Sequence, residues 1–217
     1  MTSAIRRKGG KLAGGEAGGP GPRRPRAQDV SGRAKPALRI EICILAGGLS
    51  RRMGRDKIRI RLGGKTLLKR VSVAAEQCGF KPRIIRDDLV PRCGPLGGIY
   101  TALRTTSAEA VLFLACDMPF VGPELLRLVL RSGVDGSSVK SVFARGPGGV
   151  GFPILLPKLV LDAVHAAIEA ERLSLSSLCG ALRSRRVSVP DGLRNQLQNV
   201  NTPEDLARAR LALRWHG

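Results

Sequence analysis

The stretch ILAGGLSRRMGRDK, residues 44–57, joins a short apolar run to two adjacent glycines, then to Arg51, Arg52, Gly54 and an Asp-Lys pair ending at Lys57. Glycines let backbone N–H groups approach phosphates and bases closely. Arg51, Arg52 and Lys57 supply the positive charge that a triphosphate needs. A P-loop is excluded, because Gly54 is followed by Arg55 rather than lysine, and Gly47-Gly48 lacks the spacing of a dinucleotide-binding fingerprint. Asp117 follows directly on the apolar run of LFLACDMPF. A carboxylate facing a triphosphate is repulsive unless a cation stands between them. Magnesium takes one or two carboxylates together with phosphate oxygens, so Asp117 is a candidate metal ligand. Two further groups carry usable chemistry. Asp87, with Asp88 beside it, closes IIRDD and offers an acceptor for a guanine N–H edge or a ribose. Asn199 and Asn201, two apart in NVNTPED, point to one side of an extended segment and bring donors and acceptors suited to a pterin or a phosphate.

These residues must be positioned by something, and the chain supplies regular punctuation from residue 39 onward. RIEICILA (39–46) reads as a buried strand, and EAVLFLACD (109–117) is a continuous apolar run suited to a strand covered on both faces. KTLLKRVSVAAEQCG (65–79) has helical spacing and a terminal glycine. GPLGGIYTALRTT (94–106) and GPELLRLVLRS (122–132) place proline at a helix start. RII (83–85), KSVFAR (140–145), GFPILL (151–156) and RRVSVP (185–190) read as strands; residues 157–171, 174–182 and 202–213 read as helices. Thr202, Pro203 and Asp205 compose a helix start close to a capping box. Alternating strands and helices predict an α/β fold, a three-layer sandwich around a parallel or mixed sheet. In such sheets ligands sit beyond the carboxyl ends of the strands, where the loop 47–57 and Asp117 both fall.

The run L-A-G-G-x-S-x-R-M-G-x-D-K resembles the signature of nucleotidyltransferases, and within them the molybdenum cofactor guanylyltransferases. GPLGGI (94–99), CDMPF (116–120), FPILL (152–156) and NVNTPEDL (199–206) continue the resemblance, which spans residues 40–213. It implies a Rossmann-like nucleotidyltransferase fold with a mostly parallel, mixed sheet. It implies transfer of GMP from GTP to the phosphate of molybdopterin, with release of pyrophosphate and formation of the guanine dinucleotide cofactor. Carried over residue by residue, Leu45, Ala46, Gly47, Gly48, Lys57, Asp87 and Asp117 would bind nucleotide. Lys57, Arg51, Arg52 and Asp117 would serve catalysis, Asp117 would hold magnesium, and Asn199 and Asn201 would meet molybdopterin. Other cofactor-synthesis proteins or molybdoenzymes would be transient partners. One departure stands out: the family usually has a further strand between the first helix and the segment that reads RII here, and only FKP (80–82) fills that gap. A cytidylyl or sugar-nucleotide transferase of the same fold, or a non-catalytic GTP-binding relative, is the competing reading.

Composition bounds the rest. The 217 residues are 43% apolar, enough for one compact domain, but only 3% aromatic, so the core must be mainly Leu, Val, Ile and Ala. The formal charge of +20 favours anionic partners. Residues 1–38 carry nine Lys or Arg against Glu16 and Asp29 in a Gly/Pro-rich context, and read as a disordered basic tail ahead of a domain at 39–217. The tail contains no aromatic for base stacking, which weighs against nucleic acid as its partner. Cys43, Cys78, Cys93, Cys116 and Cys179 are widely spaced and contain no C-x-x-C pair, which suits thiols in a reducing cytoplasm. No apolar run reaches a membrane span, so no membrane partner is expected. His165 and His216 lie away from every motif.

Overall fold

The computed structural model describes residues 38–47 and 60–215, the side chain of Trp215 excepted. In chain order the elements are β1 (Ile40–Leu45), β2 (Arg61–Leu62), β3 (Lys65–Thr66), α1 (Leu67–Glu76), β4 (Arg83–Ile85), α2 (Pro95–Thr105), β5 (Ala110–Ala115), α3 (Pro123–Gly133), β6 (Val134–Asp135), β7 (Ser138–Val139), β8 (Val142–Gly146), β9 (Gly149–Pro157), α4 (Leu161–Glu169), α5 (Leu175–Ala181), β10 (Arg185–Ser188) and α6 (Pro203–Trp215). Six strands make one sheet in the order β10-β8-β9-β5-β1-β4, and only β9 runs antiparallel to its neighbours. This is the mixed α/β architecture the apolar runs predict. β2 pairs with β3, and β6 with β7, as separate two-stranded ribbons.

Strand alternation divides the core into two layers. Ile42, Ile44, Leu112 and Leu114 face α1 and α3, meeting Leu68, Val71, Leu125 and Val129. Cys43, Val111, Phe113 and Ile154 face the other way, toward α2, α4 and α5, meeting Leu96, Ile99, Val164 and Leu178. β5 is apolar on both sides, and β1 is so apart from Glu41, because helices cover both faces of the sheet. A smaller cluster of Ile60, Leu62, Leu67, Val200 and Ala209 seats α6 against the β2–β3 ribbon.

Local chemistry sets the ends of these elements. The Thr66 hydroxyl caps α1 by accepting from Lys69 N–H at 3.1 Å. Past the other end of α1, Gly79 takes φ +85°, Phe80 N–H reaches the Ala75 carbonyl at 3.1 Å, and Gly79 N–H reaches Glu76 at 2.9 Å. That pair of bonds is a Schellman closure, which favours glycine at the left-handed position. Pro95 and Pro123 open α2 and α3 as their sequences predict. The helix expected at 157–171 begins later: β9 runs to Pro157, a 3₁₀ turn covers Lys158–Val160, and the α-helix starts at Leu161.

No strand stands between Gly79 and Arg83, so the three-residue β4 is the edge of the sheet. Such a short edge needs a fastener. Arg83 grips Glu41 of β1 through two bonds, Nε to Oε1 at 2.7 Å and Nη2 to Oε2 at 2.9 Å. The same guanidinium donates to the Ala102 carbonyl at 3.0 Å and the Thr105 hydroxyl at 2.8 Å, tying β4 to α2 as well. Burial pushes the Glu41 carboxyl up, but the bonds from Arg83 and Thr106 and the charge of Arg83 outweigh it and hold it below the ordinary range. All five cysteines are free. Burial and the nearby Glu41 carboxylate push the Cys43 thiol up to about 12, which leaves it inert.

Candidate active site

Strand register brings the two predicted halves of the site to one rim. β1 and β5 are parallel neighbours, with Leu45 level with Ala115. Cys116 N–H donates to the Leu45 carbonyl at 3.1 Å, so the loop carrying Asp117 and the loop beginning at Ala46-Gly47 leave adjacent strands side by side. On the far side of β1, Ala46 N–H donates to the Ile85 carbonyl at 2.8 Å, which brings in the chain leading to Asp87 and Asp88. From β1 the chain proceeds first to β4 on one side and then to β5 on the other, so this rim is a topological switch point.

The third predicted segment arrives at the same place. After β10 the chain runs through a 3₁₀ segment, Asp191–Leu197, and returns along the rim until Val200 N–H donates to the Asp117 carbonyl at 2.8 Å. Val200 is buried, Asn199 beside it is exposed and Asn201 is half-buried. The capping box is present: Asp205 N–H donates to the Thr202 hydroxyl at 3.1 Å, and the Asp205 carboxylate accepts from the N–H groups of Asn201 and Thr202, each at 2.9 Å. α6 thereby fixes the backbone at Asn201.

Asp88, rather than Asp87, is the carboxylate turned into the crevice, and Asp87 is exposed. A Cβ at Gly47 would stand 2.6 Å from the Arg86 carbonyl oxygen and 3.5 Å from Asp88 Oδ1. A Cβ at Gly97 would stand 2.8 Å from Asp88 Oδ2, and one at Gly98 3.4 Å from Asp88 Oδ1. Three glycines from two elements thus leave the room that Asp88 occupies. Burial, with the neighbouring Asp87 charge, raises the Asp88 carboxyl above its ordinary value.

Leu45, Ala46, Gly47, Asp88, Asp117, Asn199 and Asn201 therefore share one rim. Gly48, Arg51, Arg52 and Lys57 lie outside the described residues, as do residues 1–37 of the basic tail. His165, on α4, stacks on Tyr100 at 5.1 Å between ring centroids. Asp117 suits magnesium by its chemistry. Among the described residues no group of three or more His, Cys, Asp or Glu is gathered to cage a metal, and a single carboxylate completed by phosphate oxygens is the donor set magnesium accepts. Among the described residues no helix is long and apolar enough to cross a membrane.

The MobA-like NTP transferase domain family matches residues 42–86 and 83–186. A probable molybdenum cofactor guanylyltransferase of Pelotomaculum thermopropionicum is 30% identical over 77% of this chain and 90% of its own. The molybdenum cofactor guanylyltransferase of Pseudomonas putida is 33% identical over 76% and 94%. Among solved structures, molybdopterin-guanine dinucleotide biosynthesis protein A of Archaeoglobus fulgidus superposes with a TM-score of 0.63 at 24% identity, covering 81% of this chain and 99% of that one. The 2-C-methyl-D-erythritol 4-phosphate cytidylyltransferase of Thermus thermophilus superposes with a TM-score of 0.58 at 17% identity, covering 82% and 100%. These two likenesses establish the fold.

Proposed function

The chain belongs to the MobA-like NTP transferase family and is a nucleotidyltransferase of molybdenum cofactor biosynthesis, and from that premise we propose that it transfers GMP from GTP to the terminal phosphate of molybdopterin. The observation that carries the reading is the shared rim. The Gly47 loop and Asp117 leave neighbouring parallel strands joined by the Cys116-to-Leu45 bond, where one nucleoside triphosphate can meet both.

In the proposed reaction an oxygen of the acceptor phosphate attacks the α-phosphorus of GTP. A new phosphorus–oxygen bond forms, the bond from the α-phosphorus to the oxygen bridging to the β-phosphate breaks, and pyrophosphate carries away the electron pair. The second pKa of a phosphate monoester is about 6, so the nucleophile is already ionised near neutrality and no general base is required. This agrees with a described rim whose named residues include no histidine. The protein's part is placement and charge neutralisation. Lys57, with Arg51 or Arg52, would hold the triphosphate. The backbone of Leu45–Gly48 would contact base and ribose, and Asp88 would accept from the N–H edge of guanine. Asp117 would ligate magnesium, which when bound neutralises phosphate charge and polarises the phosphoryl oxygens. Asn199 and Asn201 would meet the acceptor.

The test is incubation of the protein with molybdopterin, magnesium and either GTP or CTP, with mass detection of the dinucleotide. The guanine dinucleotide should form from GTP and little product from CTP. Efficient use of CTP would replace the guanylyl reading with a cytidylyl one, and no product from either nucleotide would overturn transfer to this acceptor.

A further inference from the structure

Asp88 lies in the loop that joins β4 to α2, and β4 is the edge of the sheet, so the loop must be held from α2. Leu89 N–H donates to the Thr101 hydroxyl at 2.9 Å, and that hydroxyl donates to the Gly97 carbonyl at 2.8 Å. Resting on the reading above in which Asp88 accepts from guanine, we propose that Thr101 is a positioning residue for nucleobase selection: through Leu89 it sets the Asp88 carboxylate where the N–H edge of guanine, with its 2-amino group, meets it.

The backbone geometry makes that link direct. A peptide unit is planar, so the Leu89 N–H shares its plane with the Asp88 Cα and carbonyl, and anchoring the N–H anchors that plane. Close packing holds the chain on either side. Gly47 admits the Arg86 carbonyl, and Gly97 admits the Val90 carbonyl; an added Cβ would stand 2.6 and 2.8 Å from the two oxygens. Residues 86, 89 and 90 are thus fixed, and Asp88 is carried between them. Its carboxylate is treated differently. It is half-buried, and among the described residues no hydrogen bond reaches either of its oxygens. A fastened backbone bearing a partly desolvated acceptor with both oxygens open suits a ligand with paired donors.

Helix stability does not account for Thr101. Threonine is a poorer helix former than alanine or leucine, and a hydroxyl bonded back to the carbonyl four residues earlier slightly destabilises a helix. Nor is the loop held here by an apolar side chain, since Leu89 is 58% exposed. Thr101 is itself buried, and with its proton committed to Gly97 its lone pair faces the loop. Thr105, one turn further on, serves β4 in the same way: it donates to the Thr101 carbonyl at 2.7 Å and accepts from Arg83 at 2.8 Å. Two threonines four apart on α2 therefore fasten the strand before Asp88 and the peptide after it. Gly97 and Gly98, which leave the room for the Asp88 carboxylate, lie one turn before Thr101 on the same helix. Guanine presents two neighbouring donors, the ring N1–H and the 2-amino group. One carboxylate takes both only when it is held level with the ring. Inosine triphosphate (ITP) keeps the N1–H and every phosphate contact but lacks the amino group, so the GTP-to-ITP preference reports how Asp88 is oriented.

Thr101→Val keeps the side-chain shape and removes both bonds, whereas Thr101→Ser keeps the hydroxyl. Binding of GTP and of ITP, each with magnesium, is measured by titration calorimetry for wild type, both variants and Thr101→Ala, alongside thermal unfolding. Wild type should prefer GTP by about tenfold or more, because ITP leaves one acceptor unpaired. In Thr101→Val, GTP affinity should fall about tenfold and ITP affinity by less than about threefold, removing most of the preference, while Thr101→Ser keeps it. An undiminished GTP-to-ITP ratio in Thr101→Val overturns the assignment, whether both affinities hold or fall in parallel, since a parallel fall is what a merely structural role gives. Loss of the preference in Thr101→Ser overturns it too, by placing the effect in packing rather than in the hydroxyl. Should Thr101→Val fail to fold, the ratio in Thr101→Ala decides by the same criterion. If wild type binds GTP and ITP equally, the reading of Asp88 as guanine acceptor has failed and this assignment falls with it. If wild type discriminates and Thr101→Val does so equally, only this assignment falls.

Discussion

Gly97→Ala and Gly180→Ala are the same chemical change in two helices, and the structure predicts opposite signs. In a helix interior alanine is favoured over glycine by about 0.8–1.0 kcal/mol. At Gly180, in α5, an added Cβ meets nothing within 4 Å, so the propensity gain stands and the variant should be more stable by about that amount. At Gly97, in the first turn of α2, the Cβ would lie 2.8 Å from both the Val90 carbonyl oxygen and Asp88 Oδ2. One of those neighbours is backbone and cannot rotate away. Overpacking of this kind costs about 1–3 kcal/mol, which outweighs the propensity gain and leaves a net loss near 1 kcal/mol. The two variants should therefore differ by about 2 kcal/mol in urea unfolding, with midpoints moving in opposite directions and m unchanged. Gly97→Ala should also weaken GTP binding, because it displaces Asp88, whereas Gly180→Ala should not. A Gly97→Ala protein as stable as Gly180→Ala and binding GTP normally would refute the claim that these glycines exist to admit Asp88.

Lys57→Ala should lose roughly 2–4 kcal/mol of transition-state stabilisation, by analogy with removing one preorganised electrostatic donor, read as kcat/KM with a fold unchanged by circular dichroism. Glu41→Gln weakens the charge-assisted bonds that fasten β4 and should cost about 1–2 kcal/mol at pH 7. Because the folded Glu41 carboxyl lies below its unfolded value, that contribution is present above the ordinary glutamate pKa, about 4.3, and is lost as pH falls through the folded one. Urea midpoints of wild type and Glu41→Gln should converge in acid. Asp88→Asn should behave oppositely. The folded Asp88 carboxyl lies above its unfolded value, so wild-type stability falls as pH rises from about 3.9 through the folded pKa. Asp88→Asn should then be the more stable protein at pH 7 while binding GTP more weakly, the mark of a group retained for function rather than stability.

The principal strands were legible because their chemistry repeats along the chain. AVLFLA is apolar on both faces, and IEICIL is so apart from Glu41, the pattern of a strand between two helical layers. Pro95, Pro123 and the Thr202 box fixed helix starts by mechanisms confined to a single turn. The β2–β3 ribbon escaped notice although Gly63 and Gly64, at φ +56° and +76°, are the dipeptide such a hairpin turn requires. Its strands are two residues long, too short for any periodicity to register. In the site, Asp117 and Gly47 could be placed together because the carboxyl ends of parallel neighbours must coincide. Which of Asp87 and Asp88 turns inward could not be read, because it depends on space left by Gly47, Gly97 and Gly98 from elements distant in sequence.

The central claim is that Asp117 and the Gly47 loop grip one magnesium-bound nucleoside triphosphate between them. It is tested most directly by the rate of dinucleotide formation from GTP and molybdopterin, followed by mass detection, in wild type and Asp117→Ala across a magnesium titration. The account predicts magnesium-dependent product with wild type, and a loss of about a hundredfold or more with Asp117→Ala at unchanged thermal stability. Equal rates for the two proteins, or wild-type turnover indifferent to magnesium, would contradict it.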